Sequence, residues 1–446
     1  MNIKYFINFI PLAILAVFGC TTVAIPSDIS WEDAIEVASG DAFRGPWRMN
    51  DSQFHFVDDP TVSITDDGII AVAWADLENR DIVLQIYESD GTRRFSEPVN
   101  ISKSPDVFSW LPIIVISGDN ASNISILWQE IVFSGGSHGG EIFFARSSDG
   151  GSSFRDPVNL SNTIAGAGKG RLTTHRWDNG SLDLVEDNNG GLYAAWTEYE
   201  GALLFSRSDD SNGTFSKPIH IAGGNGELPT RGPSIDVGAD GSVYMAWSVG
   251  EDESSDIYFT YSNNNGRTFE KPQVVYNTDG HSDAPQIAID SKRSIHIVFG
   301  ESPHGMFSSY DVLYTSRNAD DEYFDSPRVI SGNGVNDISG ANYPEISTDS
   351  AGNLYVMWEI FPRDARRSRG LGLTVSDDGG RTFSPAAVVP GSMDPDGGFN
   401  GSQQGLLMRK MAVNGSGLIA IVNSTFRQNE VSHIRLINGQ SNLIHR

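Results

Sequence analysis

Short apolar runs bounded by glycine-containing turns recur along most of this chain. Val243–Trp247 (VYMAW) and Leu354–Trp358 (LYVMW) are two of them. Runs of this length, rich in β-branched and aromatic residues and set beside Asp-Gly or Asn-Gly turns, predict buried strands joined as antiparallel hairpins. Because nothing after residue 30 has the pattern of a long amphipathic helix, we expect an all-β protein.

The strand-like runs belong to a repeat. One unit has the form Pro-x-Ile-x-Ile-Asp-x-x-Gly-x-Leu-Tyr-x-x-Trp, followed by a loop, an alternating run, a turn and Phe-x-x-Pro-Val. The tryptophan recurs as Trp74, Trp128, Trp196, Trp247 and Trp358, with Phe299 in the same frame, and the closing aromatic recurs as Phe95, Phe154, Phe215, Phe269, Phe324 and Phe383. A period of about 50 residues is typical of four-stranded propeller blades.

The ends of the chain give the number of blades. Six units are complete between Pro60 and Pro390, and Met408–Ile437 contains three further strand-like runs without a closing strand. The segment Trp31–Ala38 matches the closing pattern of Phe154–Ser161. We therefore predict a seven-bladed β-propeller in which an N-terminal strand completes the last blade, since such closure removes two sheet edges. The alternative is a six-bladed ring with decorated ends.

The first 20 residues predict a signal peptide with a lipobox. An apolar run, Phe6–Phe18, follows Lys4 and leads directly into Cys20, the only cysteine of the chain. Such a run is too short for a transmembrane helix and favours export, with Cys20 as the lipidation site. Ordinary cleavage after Ala24 is the alternative and gives a secreted protein. A short linker (21–30), one propeller domain (31–440) and a tail (441–446) complete the organisation.

Composition limits the partners of the mature protein. The formal net charge of −26 argues against nucleic acid, which requires a basic surface. Without a second cysteine the mature chain lacks a disulfide, and no cofactor is expected. Asp394-Pro395-Asp396-Gly397 has oxygen ligands for calcium, but a turn is the simpler interpretation. We expect an extracytoplasmic monomer that meets the membrane only through the lipid.

A Ser-x-Asp-x-Gly-x-x-Phe motif precedes the closing strand of several units. Ser147–Phe154 and Ser376–Phe383 fit it at every fixed position, while Ser262–Phe269 has Asn264 in place of the aspartate and Ser208–Phe215 has Asn212 in place of the glycine. The acidic side chain can accept backbone N–H groups within the turn, and glycine supplies the positive φ. We therefore expect Asp149 and Asp378 to be structural.

These motifs resemble the Asp boxes of the sialidase (bacterial neuraminidase repeat) superfamily, and the resemblance covers essentially the whole mature chain. It implies a propeller whose boxes lie on the face opposite the active site. It also implies three arginines that hold a substrate carboxylate, the first in an Arg-Ile-Pro motif, together with a Tyr–Glu nucleophile pair and an aspartate acid.

The match to the sialidase residues is partial. Arg231-Gly232-Pro233 has the register of the first arginine, and Arg176 and Arg409 are candidates for the other two. Tyr343 stands at a blade opening, as the family tyrosine does. However, Asp58 occupies the arginine position of the first full blade, and Tyr310-Asp311 stands where the family has another arginine.

Two registers of the repeat predict what lines the mouth of the propeller. The position two residues before each blade-opening proline or its equivalent gives Asp58, Trp110, Gly180, Arg231, Asp283, Asn342 and Leu406, and the position after the Trp strands gives Asp76, Glu130, Glu198, Glu301 and Glu359. Carboxylates and an aromatic face suit a sugar. The candidate catalytic residues are Asp58, Asp76 and Asp283, and the candidate substrate-binding residues are Trp110, Arg176, Arg231, Asn342, Tyr343 and Arg409.

Two functions follow from these patterns. The first is an exported, sialidase-like propeller at the cell surface that acts on or binds carbohydrate, as an exo-glycosidase if it is an enzyme. The second is a non-catalytic propeller that binds a glycan or a cell-surface protein. A basic run, Arg363–Arg369, stands out in the acidic chain and suits either an anionic partner or a solvated loop.

Overall fold

The fold is all-β. The computed structural model describes residues 28–132, 139–208, 213–251, 254–306, 308–332, 338–363, 367–400 and 409–443, and its one helical element there is a 3₁₀ turn, Asp119–Ala121. The predicted signal peptide, the predicted lipidation site at Cys20 and the candidate mouth residue Leu406 lie outside the described residues.

The strands follow one another as blade after blade. Before the first full blade the chain forms β1 (Ile29–Trp31), β2 (Ile35–Gly40), β3 (Phe43–Arg44) and β4 (Phe54–His55). Blade 1 contains β5 (Val57–Ile64), β6 (Ile70–Asp76), β7 (Asp81–Tyr87) and β8 (Val99–Asn100). Blade 2 contains β9 (Ser109–Ser117), β10 (Asn123–Glu130), β11 (Glu141–Ser147) and β12 (Val158–Asn159). A hairpin of β13 (Lys169–Thr173) and β14 (Arg176–Asn179) separates blade 2 from blade 3.

The remaining blades have the same order. Blade 3 contains β15 (Leu182–Glu186), β16 (Leu192–Thr197), β17 (Leu203–Ser208) and β18 (Ile219–Ala222). Blade 4 contains β19 (Thr230–Val237), β20 (Val243–Val249), β21 (Asp256–Ser262) and β22 (Gln273–Tyr276). Blade 5 contains β23 (His281–Ile289), β24 (Ile295–Ser302), β25 (Asp311–Arg317) and β26 (Arg328–Val329). Blade 6 contains β27 (Ile338–Thr348), β28 (Leu354–Pro362), β29 (Leu371–Ser376) and β30 (Ala387–Val388). Blade 7 begins with β31 (Phe399–Asn400), β32 (Met411–Val413), β33 (Leu418–Arg427) and β34 (Val431–Ser441).

Both ends of the described chain meet in blade 7. Strand β2 pairs with β34 from Ile35 opposite Leu436 to Gly40 opposite Ser432, and β1 pairs with the end of the same strand. The seven blades and the closing N-terminal strand are therefore confirmed. The closure is stabilised by burial, because Val37 of β2 packs with Ile434 and Leu436 in the core of this blade.

The hydrophobic core lies between the blades. The tryptophan of the repeat is buried in all five places, with at most 2% of its surface exposed. Each first strand contacts the first strand of the next blade, so β5, β9, β15, β19, β23, β27 and β32 form the innermost ring. Side chains on this ring face a shared axis, which is where the chain can bring residues distant in sequence together.

Antiparallel pairing gives the propeller two different faces. Each first strand starts, and each second strand ends, at the face we call the mouth. The turn between the third and fourth strands, which holds the Ser-x-Asp motif, lies at the opposite face, which we call the box face. There Ser153 N–H donates to Asp149 Oδ1 at 2.9 Å, and Thr382 N–H donates to Asp378 Oδ1 at 2.9 Å.

Two hairpins stand on the mouth outside the blade repeat. The hairpin β3–β4 is attached to blade 2 through Asn50, whose Nδ2 donates to the Ile131 carbonyl at 2.8 Å and whose Oδ1 accepts from Phe108 N–H at 3.0 Å. The hairpin β13–β14 packs against the start of blade 4, where a Cβ atom at Gly170 would collide with the Cβ of Arg231. A glycine is required at this close approach.

Candidate functional site

A β-bulge opens the first strand in five of the blades. In each, the residue before the proline adopts a positive φ and the pairing register shifts: Asp59 at 51°, Leu111 at 57°, Gly232 at 57°, Ala284 at 50° and Tyr343 at 52°. Four of these residues are not glycine, so the left-handed conformation is strained and is held by its surroundings. Bulges of this kind re-aim side chains at functional edges. Here they direct the blade-opening residues to the mouth.

An ion pair between Arg231 and Asp283 joins blades 4 and 5 at the mouth. Arg231 Nε lies 3.0 Å from Asp283 Oδ1, while the two Nη atoms donate to the Gly250 carbonyl at 2.5 Å and to Ser255 Oγ at 3.0 Å. Arg231 is fully buried. Its guanidinium is therefore directed at protein oxygens rather than at a substrate carboxylate.

The environment of Asp283 keeps this carboxyl ionised. Burial by itself raises its pKa, but the Arg231 guanidinium and the neighbouring His281 outweigh burial and hold the pKa well below its ordinary value. His281 is also fully buried, and its Nε2 lies 3.1 Å from Arg231 Nη2. The site thus contains a carboxylate whose negative charge is fixed.

Asp178 on strand β14 brings a second carboxyl group to this ion pair. Burial and the nearby charge of Asp283 together raise its pKa to about 7, against the opposing effect of Arg231. Two carboxyl groups in one buried place cannot both ionise freely, so one retains a proton near neutral pH. The sequence-based candidates did not include Asp178. Asp178 lies in the β13–β14 hairpin, which is an insertion into the blade repeat. The presence of that insertion is the sequence feature that could have pointed to this residue.

Tyr343 completes the cluster from blade 6. Its strained backbone is held by its own neighbour, because Tyr343 N–H donates to Asn342 Oδ1 at 2.8 Å. Burial raises the pKa of the phenol well above its ordinary value, and the charges of Asp178 and Asp283 raise it further. Tyr343 is therefore a neutral hydroxyl beside one protonated and one ionised carboxyl group. We call Arg231, Asp283, Asp178 and Tyr343 the axial cluster.

A separate ion pair lies on the side of the mouth formed by blades 6 and 7. Lys410 Nζ lies 2.5 Å from Glu359 Oε1, and Asn400 Nδ2 donates to Glu359 Oε2 at 3.0 Å. Burial lowers the pKa of Lys410, but the charges of Glu359, Glu345 and Asp58 outweigh burial and raise it. Asp58 is thus a counter-ion on this side of the mouth and is not part of the axial cluster.

Arg409 lies deeper, on the axis. Its Nη2 donates to Asp183 Oδ2 at 2.8 Å and to the Ile235 carbonyl at 3.0 Å. Asp183 also accepts the Ile235 N–H, and Asp236 accepts the Ile289 N–H at 2.7 Å, so these acids connect blade to blade. Arg409, Asp236 and Glu345 line an axial cavity of about 1010 Å³ that opens toward the box face.

The structure therefore brings only some of the predicted site residues together. Arg231, Asp283, Tyr343 and Asn342 meet at the axial cluster, and Arg176 lies exposed on the adjacent hairpin. The predicted set of three clamp arginines does not assemble, because Arg231 and Arg409 are held by different aspartates.

Two other candidates lie away from the cluster. Asp76 accepts the backbone N–H groups of Glu78 and Asn79 at 3.1 and 3.2 Å and so stabilises its own turn. Trp110 does not present a stacking face. It is 2% exposed, its Nε1 donates to Gln129 at 2.7 Å, and the Trp47 ring covers it at 5.3 Å between centroids. Sequence alone could not predict that a hairpin outside the repeat covers this position.

Among the residues that the structure describes, no group of three or more His, Cys, Asp or Glu side chains is placed to hold a metal ion. Asp394 accepts the Asp396 N–H at 2.8 Å within its own turn, and Asp396 lies 3.4 Å from Arg427. No helix in the described part of the chain has the length and apolar character needed to cross a membrane.

The comparisons with known proteins give the fold. No family model and no curated protein matches the sequence. Among solved structures, the chain is similar to a protein of unknown function from Dyadobacter fermentans DSM 18053, with 10% identity and a TM-score of 0.51 over 94% of this chain and 100% of that one. It is also similar to polysaccharide lyase Uly1, with 12% identity and a TM-score of 0.51 over 92% and 99% of the two chains.

A mutant NanB sialidase from Streptococcus pneumoniae is a more distant neighbour, with 12% identity and a TM-score of 0.45 over 73% of this chain and 68% of that one. At such identities the similarity concerns the fold and not the residues of a site. The comparisons support the fold: this chain is a seven-bladed β-propeller, and its backbone is similar to that of polysaccharide lyase Uly1 over most of its length.

Proposed function

We propose that this protein is a carbohydrate-cleaving enzyme that uses acid–base catalysis at the axial cluster. The observation that supports it best is the convergence of Asp178, from an inserted hairpin, on the Arg231–Asp283 ion pair and Tyr343. Two carboxyl groups with opposite protonation states in one site are the usual equipment for cleaving a glycosidic bond. The fold neighbours add support by analogy only.

Each residue of the cluster has a distinct role in this proposal. Asp178, protonated near neutral pH, donates its proton to the departing glycosidic oxygen. Asp283, held ionised by Arg231, stabilises the positive charge that develops on the sugar ring, until water adds to the anomeric carbon and returns a proton to Asp178. Tyr343, a neutral hydroxyl that feels the charges of both carboxyl groups, contacts the reacting sugar as a hydrogen-bond donor. Arg231 is a positioning residue, because its donors are directed at protein atoms.

The test is turnover of a panel of substrates. Release of the fluorophore measures cleavage of fluorogenic glycosides, and the appearance of new reducing ends measures cleavage of neutral and acidic polysaccharides. We expect Asp178→Asn and Asp283→Asn to lower the rate by about 100-fold or more while the fold is retained. Asp149→Asn, on the box face, is the matched control and should retain activity. Full activity of Asp178→Asn would show that Asp178 is not the catalytic acid.

A second candidate function is a non-catalytic module that binds a glycan or a protein at the mouth. It is favoured by the internal pairing of the large charges, Arg231 with Asp283 and Lys410 with Glu359. If the folded protein cleaves no substrate of the panel but binds to an immobilised glycan, the non-catalytic binding function is supported and the enzyme proposal is wrong.

We further propose that the protein is exported and held on the outer side of the cytoplasmic membrane by a lipid on Cys20. The support is the apolar run that leads into this cysteine. Metabolic labelling with a fatty acid and cell fractionation test it. The Cys20→Ser variant should lose both the label and the membrane association. Association that survives in this variant contradicts the proposal.

A further inference from the structure

Two tryptophan side chains are exposed on the mouth, and neither belongs to the blade repeat. Trp47 lies in the turn of the β3–β4 hairpin and is 44% exposed, and Trp177 lies on β14 and is 42% exposed. The tryptophans of the repeat, in contrast, are all buried. A large apolar side chain that an inserted segment leaves in solvent is a candidate for ligand contact, because its exposure does not benefit folding.

Both indoles are held in fixed orientations. Trp47 is stacked on the buried Trp110, with 5.3 Å between ring centroids and 25° between ring planes. Trp177 donates its Nε1–H to the Tyr199 carbonyl at 3.0 Å, and the two rings lie 6.5 Å apart. A fixed ring loses little conformational entropy when it binds a ligand, and its flat apolar face suits the C–H face of a sugar.

A short path of contacts joins the two indoles across blades 2 and 3. Trp110, beneath the first indole, donates to Gln129 Oε1 at 2.7 Å. The Gln129 amide nitrogen and the Tyr199 hydroxyl both lie against Gly140, where a Cβ atom would be 2.6 Å from each. Tyr199 in turn holds the second indole. Because three residues connect the two indoles, one extended glycan can reach both.

An amine lies over the tyrosine ring of this path. Lys169 Nζ is 5.3 Å from the centre of the Tyr199 ring. It forms no hydrogen bond and no ion pair with the residues that the structure describes, and it remains in contact with solvent. Burial lowers the pKa of Lys169, and no charged group opposes that shift. A half-buried cation without a counter-ion, in a chain whose net charge is −26, favours an anionic ligand.

The β13–β14 hairpin places this surface beside the axial cluster. In its ladder Arg171 pairs with Trp177. Successive residues of a strand project to opposite faces, so Lys169 shares a face with this pair and Asp178 projects from the other face. Arg171 is already paired with Glu251 at 2.5 Å, which leaves Lys169 as the cation available to a ligand here. The second indole and the proposed catalytic acid are thus neighbours on one strand.

We infer that Trp47, Lys169 and Trp177 form a track for an extended anionic glycan. Its sugar rings stack on the two indoles, and Lys169 binds a carboxylate or sulfate group of a unit between them. The glycan then passes the β13–β14 hairpin beside the axial cluster, where a bond of its chain meets Asp178. As substrate recognition this rests on the proposed function, whereas as binding it stands by itself.

The test measures binding without turnover, in protein that carries Asp178→Asn. Three matched pairs of polymers are used: polygalacturonate with its methyl ester, dextran sulfate with dextran, and carboxymethyl cellulose with hydroxyethyl cellulose. We expect at least one charged polymer to bind more tightly than its neutral partner, and to lose that advantage as salt is raised because charge contacts are screened. The bound polymer should also protect tryptophan fluorescence from quenching by acrylamide, since it covers the exposed indoles.

Variants separate stacking from charge. Trp47→Ala and Trp177→Ala should each raise the Kd of both members of the pair about tenfold, because each removes a stacking face. Lys169→Gln should raise the Kd of the charged polymer alone, about tenfold, and so make the pair equal. Tyr323→Ala and Lys292→Gln, at exposed positions on the box face, are the matched controls and should bind like the parent.

The outcomes distinguish this inference from the proposed function. Charge-dependent binding that the three variants weaken supports the inference even when the protein with Asp178 intact cleaves no polymer, in which case only the enzyme proposal fails. Equal binding of charged and neutral forms, binding of none of them, or quenching that the bound polymer leaves unchanged overturns the inference. Full binding by the double variant Trp47→Ala, Trp177→Ala, shown to be folded by its thermal melt, overturns it as well.

Discussion

The two faces of the propeller use the same residue types in opposite ways. On the box face, Tyr193 donates to Asp187 at 2.8 Å in blade 3, and Tyr355 donates to Asp349 at 3.0 Å in blade 6. In both blades the contact holds the turn between the first and second strands. At the mouth, Tyr343 occurs once, on a strained bulge, and faces carboxyl groups from two other segments.

Aspartates show the same contrast. Hydrogen bonds from Ser153 lower the pKa of the exposed Asp149 in its turn, whereas burial raises the pKa of Asp178 to about 7. The Asp149 carboxyl group accepts hydrogen bonds within its own turn, whereas the Asp178 carboxyl group interacts with charged residues of other blades. A polar contact that repeats with the blade period is thus structural, and one that breaks the period is a candidate for function.

The largest difference in turnover should come from removing a tyrosine hydroxyl on each face. We expect Tyr343→Phe to lower turnover by about 100-fold with little loss of stability, because its hydroxyl faces the substrate position. Tyr355→Phe should leave turnover unchanged and lower the free energy of unfolding by about 1 kcal/mol, since it deletes one buried hydrogen bond. Steady-state kinetics and urea unfolding of both variants test this, and equal kinetic effects would end the distinction between the faces.

The protonation of Asp178 predicts a pH profile. Its pKa of about 7 means that the acid loses its proton as pH rises, so kcat/KM should fall on the alkaline side of about pH 7, roughly tenfold per pH unit. The profile of Asp149→Asn should be unchanged, since Asp149 has no role at the mouth. If the residual activity of Asp178→Asn declines in the same way at alkaline pH, the decline belongs to the titration of another group.

Stability should depend on pH through the acids on the axis. Burial raises the pKa of Asp236 to about 6 and that of Glu345 to about 7. The folded state therefore holds more protons than the unfolded chain between about pH 4 and 7, and the free energy of unfolding should fall as pH rises through this range. Asp236→Asn should reduce that fall by on the order of 1 kcal/mol.

Urea unfolding of the parent and Asp236→Asn at the two ends of this range makes the measurement. Asp90→Asn is the control, because Asp90 lies on an exposed turn of the box face. Identical pH slopes for parent and Asp236→Asn would show that Asp236 does not titrate in this window.

The smallest effect is expected at a single box turn. Asp378→Ala removes the acceptor for Thr382 N–H and should cost about 1 kcal/mol of stability without changing turnover. Arg381→Gln in the same turn is the control, since it leaves the acceptor in place. A loss of turnover in folded Asp378→Ala would mean that the box face contributes to the reaction.

The repeat explains why the fold was predictable. Seven blades, the buried tryptophans and the closing strand all follow from a period that is present many times in the sequence. The blade-opening register also led to Arg231, Asp283 and Tyr343, since the bulge that aims them is itself repeated.

The rest of the candidate site depends on segments that do not repeat. Asp178 is delivered by the β13–β14 insertion, and Trp47 by the β3–β4 hairpin, which also covers Trp110. How deep a hairpin packs, and which charge it meets there, is decided by tertiary contacts such as Gly170 against Arg231. Local pattern contains no record of these contacts, so Arg409 and Asp76 were included and Asp178 was not.

The closing of blade 7 by β2 has a consequence for the order of events during synthesis. Strands β1 and β2 are translated before the blades, but their partner β34 follows all the intervening blades, so β1 and β2 stay unpaired while those blades are made. An unpaired strand is an aggregation hazard, and contacts between distant segments form slowly. Nascent chains that lack β34 should therefore depend on chaperones, and the ring should acquire resistance to proteolysis only when the final strand docks.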